Sequence, residues 1–178
     1  GGHRVDRGDT IPPLLFRTDV PDDWLFVIGL PDVVQERSGK VENEIFRSLE
    51  PPSISLMGEI SRRILIQMIP AILERDIVAF GSAMTSIDSS FGDFWLKSQG
   101  GRYSYPIIEA GVNFLLKNGA HGVGQSSWGP AFYGLVDGED NAHKVSERLK
   151  GFLNSGGRRG VSFVVQPENK GAVISVSI

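Results

Sequence analysis

The order of segments along this chain predicts an α+β domain: an antiparallel sheet with helices packed on one face. Three observations carry that expectation. A continuous apolar run, Trp24-Leu-Phe-Val-Ile-Gly-Leu30, reads as a buried strand. A long block of helix-period sequence follows. The last third then runs strand, turn, strand, helix, strand, strand. A length of 178 residues suffices for one domain with a real core.

Taken in order, Thr10 to Asp23 is proline-rich and extended, and Pro31-Asp32 closes the first strand. Residues 35–39 form a polar loop, and Ser38 is placed to cap a short helix from Lys40 to Leu49 that Pro51-Pro52 stops. Ser53 or Ser55 can cap a longer helix reaching about Glu74. Its apolar positions Leu56, Ile60, Ile64, Met68 and Ile72 fall four apart on one face, and Pro70 is expected to kink or break it. Asp76 caps a helix from Ile77 to about Ser86, continued or followed by Phe91 to Lys97. Another helix opens with Pro106 in its first turn and ends at Asn118-Gly119. Ala131 to Val136 reads as a buried strand, Asp140 as the cap of an amphipathic helix through Leu153, and Val161 to Val165 as a strand. Residues 166–171 make a turn, and Ala172 to Ile178 alternates as a last strand. The domain is expected over residues 21–178, with residues 1–20 an extended tail. Val5 to Asp9 looks like the end of an element whose partner is missing, so the chain reads as a cut through a longer protein.

Composition excludes several function classes. Hydrophobic content is 40%, charged content 22% and net charge −3, which gives no electrostatic case for nucleic acid or a membrane surface. There is no cysteine, so disulfides, thiolate zinc sites and thiol catalysis are out, and a reducing cytoplasm is compatible. The three histidines, His3, His121 and His143, are scattered, so no transition-metal site is expected. The apolar stretch Ile64 to Leu73 carries Gln67 and Pro70 and is too short to span a bilayer.

The stretch from Gly119 to Val136 is the richest in chemistry. Gly122, Gly124 and Gly129 free the backbone, and Gln125, Ser126 and Ser127 add donors. Backbone N–H groups and the two hydroxyls suit a phosphate or pyrophosphate. The same residues also suit a tight hairpin whose glycines only permit packing. Trp128 fits either an aromatic substrate or the core. His121 beside the loop fits a phosphate donor or a plain structural residue. Asp88 reads as a magnesium-bridged pyrophosphate ligand, as a base, or as a solvated carboxylate capping a helix end. Arg102 reads as a phosphate or carboxylate contact, or as part of a solvated loop. Glu42 and Glu44 fit a helix start, where the dipole favours them.

The helix opening at Asp76-Ile-Val-Ala-Phe-Gly, with a glycine-rich loop then leading into a strand, resembles the C-terminal half of the GHMP superfamily. That superfamily includes homoserine, mevalonate and galactose kinases. At Gly122-Val-Gly-Gln-Ser-Ser-Trp-Gly-Pro130 the chain is similar to the β-ribofuranosylaminobenzene 5′-phosphate synthases, archaeal-type enzymes of methanopterin biosynthesis. Kinase members usually carry a run of glycines there. Gly1-Gly-His-Arg-Val-Asp6, Pro21-Asp-Asp-Trp24 and Glu44-Ile-Phe46 also look like that family. The resemblance implies a GHMP C-terminal, ferredoxin-like fold and a missing N-terminal domain that carries the phosphate-holding Gly/Ser loop.

It further implies condensation of phosphoribosyl pyrophosphate with 4-amino- or 4-hydroxybenzoate, with loss of carbon dioxide and pyrophosphate and with magnesium accompanying the pyrophosphate. On this reading the partners are those two substrates and the missing domain, and a homodimer is among the assemblies left open. The runner-up is a GHMP-type ATP-dependent kinase, against which Gln125-Ser-Ser-Trp128 speaks. The third reading is a non-catalytic α+β binding module.

Overall fold

The computed structural model of the chain describes residues 13–33, 50–127 and 129–171. The expected helix at Lys40–Leu49 with its Ser38 cap, Glu42, Glu44, Trp128, His3, the Val5–Asp9 segment and the strand at Ala172–Ile178 lie outside the described residues. Of the expected tail, residues 13–20 have no regular structure. Val20 is tied to Asn169: its N–H donates to Asn169 Oδ1 (2.9 Å) and its carbonyl accepts from Asn169 Nδ2 (3.0 Å).

Strand β1 (Trp24–Pro31) is followed by α1 (Ile54–Arg62), whose N-cap is Ser53; Ser53 Oγ accepts from the Leu56 N–H. Arg63–Met68 forms a π-helical stretch that runs straight into α2 (Ile69–Glu74). Pro70 therefore neither breaks nor ends the helix. It falls in the first turn of α2, and the wider π turns before it absorb the missing N–H and the bulk of the ring. Helix α3 (Ile77–Gln99) is a single helix of 23 residues, not two, capped by Asp76 accepting from the Ala79 N–H (2.9 Å). Helix α4 (Pro106–Lys117) has proline in its first turn, and Gly119 follows at φ +103. Next come β2 (Gly122–Gln125), β3 (Phe132–Asp137), α5 (Glu139–Leu153) and β4 (Gly160–Val165). Asp140 is not the cap of α5. Gly138 holds that position, and Glu139 and Asp140 lie in the first turn, where negative charge favours the helix.

The four described strands form one antiparallel sheet in the order β2-β3-β1-β4. The α+β class is as the sequence implies, but the helices occupy both faces of the sheet. Helices α4 and α5 cover one face, where Leu25, Val27, Val123, Phe132 and Val136 meet Ile108, Leu115, Val145 and Leu149. On the other face Trp24 and Leu135, with Phe26 and Tyr133 beside them, meet Met84 and Phe80 of α3, Met68, and Ile72 of α2. The continuous apolar run of β1 foretells this, because a strand that is hydrophobic at every position needs cover on both sides. Cover on the second face stops short of β4, where Val161 and Phe163 are exposed.

Candidate functional site

Strand β2 is a sheet edge, so its outward N–H groups need partners other than a strand. Helix α3 supplies them. The Val123 N–H donates to Thr85 Oγ1 and the Gln125 N–H donates to Asp88 Oδ1, each at 2.9 Å. Thr85 and Asp88 are three apart on a helix, hence on one face, and their targets are two apart on a strand, hence on one edge. The approach is close enough to need glycine on both sides. A Cβ at Gly122 would lie 2.4 Å from the Gly81 carbonyl oxygen, and one at Gly81 would lie 2.3 Å from that of His121.

Past this contact α3 and the sheet diverge, leaving a cleft of about 440 Å³. Its apolar wall comes from Ile64, Met68, Met84, Ile87, Phe91, Trp95 and the ring of Tyr133. Its polar groups are Asp88, Arg102, Tyr103, Gln125 and Ser127. Burial pushes the Asp88 carboxyl up to about 6, although the Gln125 N–H and the Tyr103 hydroxyl pull the other way. Tyr103 is pushed to about 12 by burial and the Asp88 charge, and Tyr133 to about 12 by the same two causes. The Tyr133 hydroxyl and Asp88 Oδ1 converge over Gly124: a Cβ there would lie 2.5 Å from the first and 2.8 Å from the second.

Four of the residues singled out in the sequence thus come together: Asp88, Arg102, Gln125 and Ser127. Arg102 makes a two-armed ion pair with Asp93 (2.8 and 3.1 Å). The Gln125 side chain ties the cleft together, its Oε1 accepting from the Ser104 N–H (2.9 Å) while its Nε2 donates to the Ser127 carbonyl. Ser127 adopts φ +52, a left-handed conformation unusual for a residue with a side chain.

Among the other described candidates Gly124 lies directly under Asp88 and the Tyr133 hydroxyl, and the stretch takes the hairpin form of the two readings left open. Gly122 and Gly124 belong to β2. The Ser126 N–H donates to the Ala131 carbonyl (2.9 Å) and that of Gly129 to the Ser126 carbonyl (3.1 Å). The His121 N–H donates to the Leu135 carbonyl (2.8 Å), at the end of β2 away from the cleft. Tyr103, Tyr133 and the apolar wall escaped the sequence reading. Their one signal was the matched glycines at 81 and 122, which only a helix-on-strand contact makes meaningful. Among the described residues no three His, Asp or Glu side chains gather into a metal-binding group, and no helix is long and apolar enough to cross a membrane.

A family model described as GHMP kinases C terminal matches residues 68–155. The chain is 34% identical over 126 residues to the β-ribofuranosylphenol 5′-phosphate synthase of Methanothermobacter thermautotrophicus, covering 71% of this chain and 37% of that protein. It is 29% identical over 164 residues to the synthase of the same name from Archaeoglobus fulgidus, covering 92% of this chain and 48% of that one. The chain therefore spans less than half the length of these relatives. Among solved structures it resembles homoserine kinase from Cytophaga hutchinsonii, with a TM-score of 0.62 and 17% identity over 86% of this chain and 45% of that one. It also resembles L. major mevalonate kinase in complex with R-mevalonate, with a TM-score of 0.58 and 16% identity over 83% and 44% of the two chains. At such identities the likeness is one of fold.

Proposed function

Since this chain belongs to the GHMP kinase superfamily, as a C-terminal domain of the β-ribofuranosylphenol 5′-phosphate synthase group, we propose that it forms part of a phosphoribosyl-type transferase. The proposed reaction joins phosphoribosyl pyrophosphate to 4-hydroxybenzoate or 4-aminobenzoate and releases carbon dioxide and pyrophosphate, a cytoplasmic step of methanopterin biosynthesis. The observation that supports it best is the cleft. A flat ring fits an apolar wall containing Phe91, Trp95 and Tyr133, and Asp88 offers a carboxylate at the polar end.

Holding the ring carbon against the sugar's anomeric carbon is the entropic part of the work, and stabilising the departing pyrophosphate is the electrostatic part. For the second we assign the turn residues Ser126, Ser127 and Gly129, with Trp128 as a further candidate by sequence, acting with the N-terminal domain. A Ser126→Ala, Ser127→Ala double variant tests this: kcat/KM for phosphoribosyl pyrophosphate falls if the turn holds the pyrophosphate, and stays put if it does not. Magnesium, where used, would ride on the pyrophosphate oxygens, since a lone Asp88 is a poor cage for it.

The test of the reaction is made on the full-length protein. Carbon dioxide and pyrophosphate released together from phosphoribosyl pyrophosphate and either benzoate are expected. ADP formed from ATP and a metabolite acceptor, with no carbon dioxide, would establish the kinase reading instead.

A further inference from the structure

Building on the synthase reading, we infer that Asp88 is the base that takes the proton from the para-hydroxyl of a 4-hydroxybenzoate-type substrate. The argument begins with two equivalent structural tasks. Both outward N–H groups of β2 are satisfied by α3, one by the neutral hydroxyl of Thr85 and one by the carboxylate of Asp88. A neutral acceptor is enough for the task, and a carboxylate taken out of water is destabilising unless something else uses it. Asp88 lines the cleft and accepts from the Gln125 N–H and the Tyr103 hydroxyl. An ionised carboxylate has about four lone-pair positions, so acceptor capacity is left for a ligand.

The groups facing it are the Tyr103 and Tyr133 hydroxyls, with Arg102 further along the cleft and paired to Asp93. Among the described residues no cation is paired with it, and burial brings its pKa to about 6, near the working range of a general base.

The step balances as follows. Asp88 accepts the phenolic proton, and the oxygen's electron pair moves through the ring to the para carbon that bears the carboxylate. That carbon bonds to the anomeric carbon as the bond to pyrophosphate breaks and pyrophosphate leaves with the pair. Carbon dioxide departs next, its bonding pair restores the aromatic ring, and Asp88 returns the proton to the phenolate oxygen. A neutral arylamine nitrogen is a stronger donor than a neutral hydroxyl and pushes its pair through the ring without first losing a proton.

The test compares wild-type full-length protein with Asp88→Asn on the two benzoates. Asparagine keeps an oxygen for the Gln125 N–H, so the hairpin stays tied. Expected is a loss of about 100-fold or more in kcat with 4-hydroxybenzoate, a loss at least about tenfold smaller with 4-aminobenzoate, and an unchanged KM for phosphoribosyl pyrophosphate. Equal losses on both substrates, or no loss on either, would overturn the inference. Tyr103→Phe gives an independent reading. Removing a hydrogen bond that lowers the Asp88 pKa should move the acid limb of kcat/KM for 4-hydroxybenzoate to higher pH; an unmoved limb also counts against the inference. Wild-type protein that releases carbon dioxide from neither benzoate removes the synthase premise itself, a failure distinct from the failure of Asp88.

Discussion

The two faces of the sheet are built from alternate residues of the same strands, yet they have opposite characters. Under α4 and α5 the face is dry. Phe132, Ile108, Leu115, Leu149 and Leu153 are fully buried, and the Phe132 ring fills a slot between Gly29 and Gly111, where a Cβ on either glycine would come within 2.4 Å of the ring. Under α3 the face starts equally tight, with Gly81 against Gly122, then opens into a cleft holding a carboxylate and two tyrosine hydroxyls. Phe132 and Tyr133 are neighbours in sequence and mark the boundary, one ring sealed in the core and the next lining the cleft. The difference teaches a division of labour: one face supplies the stability, and the other spends some of it keeping polar groups partly desolvated.

The largest expected effect lies on the dry side. Phe132→Ala should cost about 3–5 kcal/mol in denaturant melts, since neighbours clamped by two glycine contacts cannot collapse into the void. Gly111→Ala should cost about 1–3 kcal/mol by overpacking the same ring. A neutral result for either would mean the slot relaxes and the contrast between the faces is overstated.

On the cleft side the sign reverses. The Asp88 carboxyl titrates near 6 when folded and near 3.8 when not, so the folded protein binds the extra proton between those values. Stability contributed by this group therefore falls as pH rises from about 4 to 6 and stays low above. Asp88→Asn should make the protein more stable than wild type at pH 8, on the order of 1–3 kcal/mol, with the gain vanishing below pH 4. A variant less stable at pH 8 would show that the carboxylate is structural. Smallest of all, Ser126→Ala with Ser127→Ala should leave the free energy of unfolding within about 0.5 kcal/mol of wild type in denaturant melts, whatever it does to substrate use.

Much of the architecture was legible because it rests on local physics. Helix starts at Ser53, Asp76 and Pro106 follow from capping and proline geometry, and the strands at Trp24 and Val161 follow from apolar runs. Gly122-Val-Gly-Gln125 looks like a loop by propensity, yet it is a strand because α3 needs bare backbone to approach and offers Thr85 and Asp88 as edge partners. Pro70 does not end its helix, where π turns come just before it, and α3 takes the continuous form of the two that the sequence left open. In the site, Asp88 stood out as a carboxylate but not as a buried one, since burial comes from Tyr103 and Tyr133, both distant in sequence.

The most direct measurement is a crystal structure of the full-length protein with 4-hydroxybenzoate and phosphoribosyl pyrophosphate bound. The account predicts the ring lying between Phe91 and Tyr133 with its para-oxygen within hydrogen-bond reach of Asp88. A ring seated elsewhere, with the cleft beside α3 filled only by water, would contradict it.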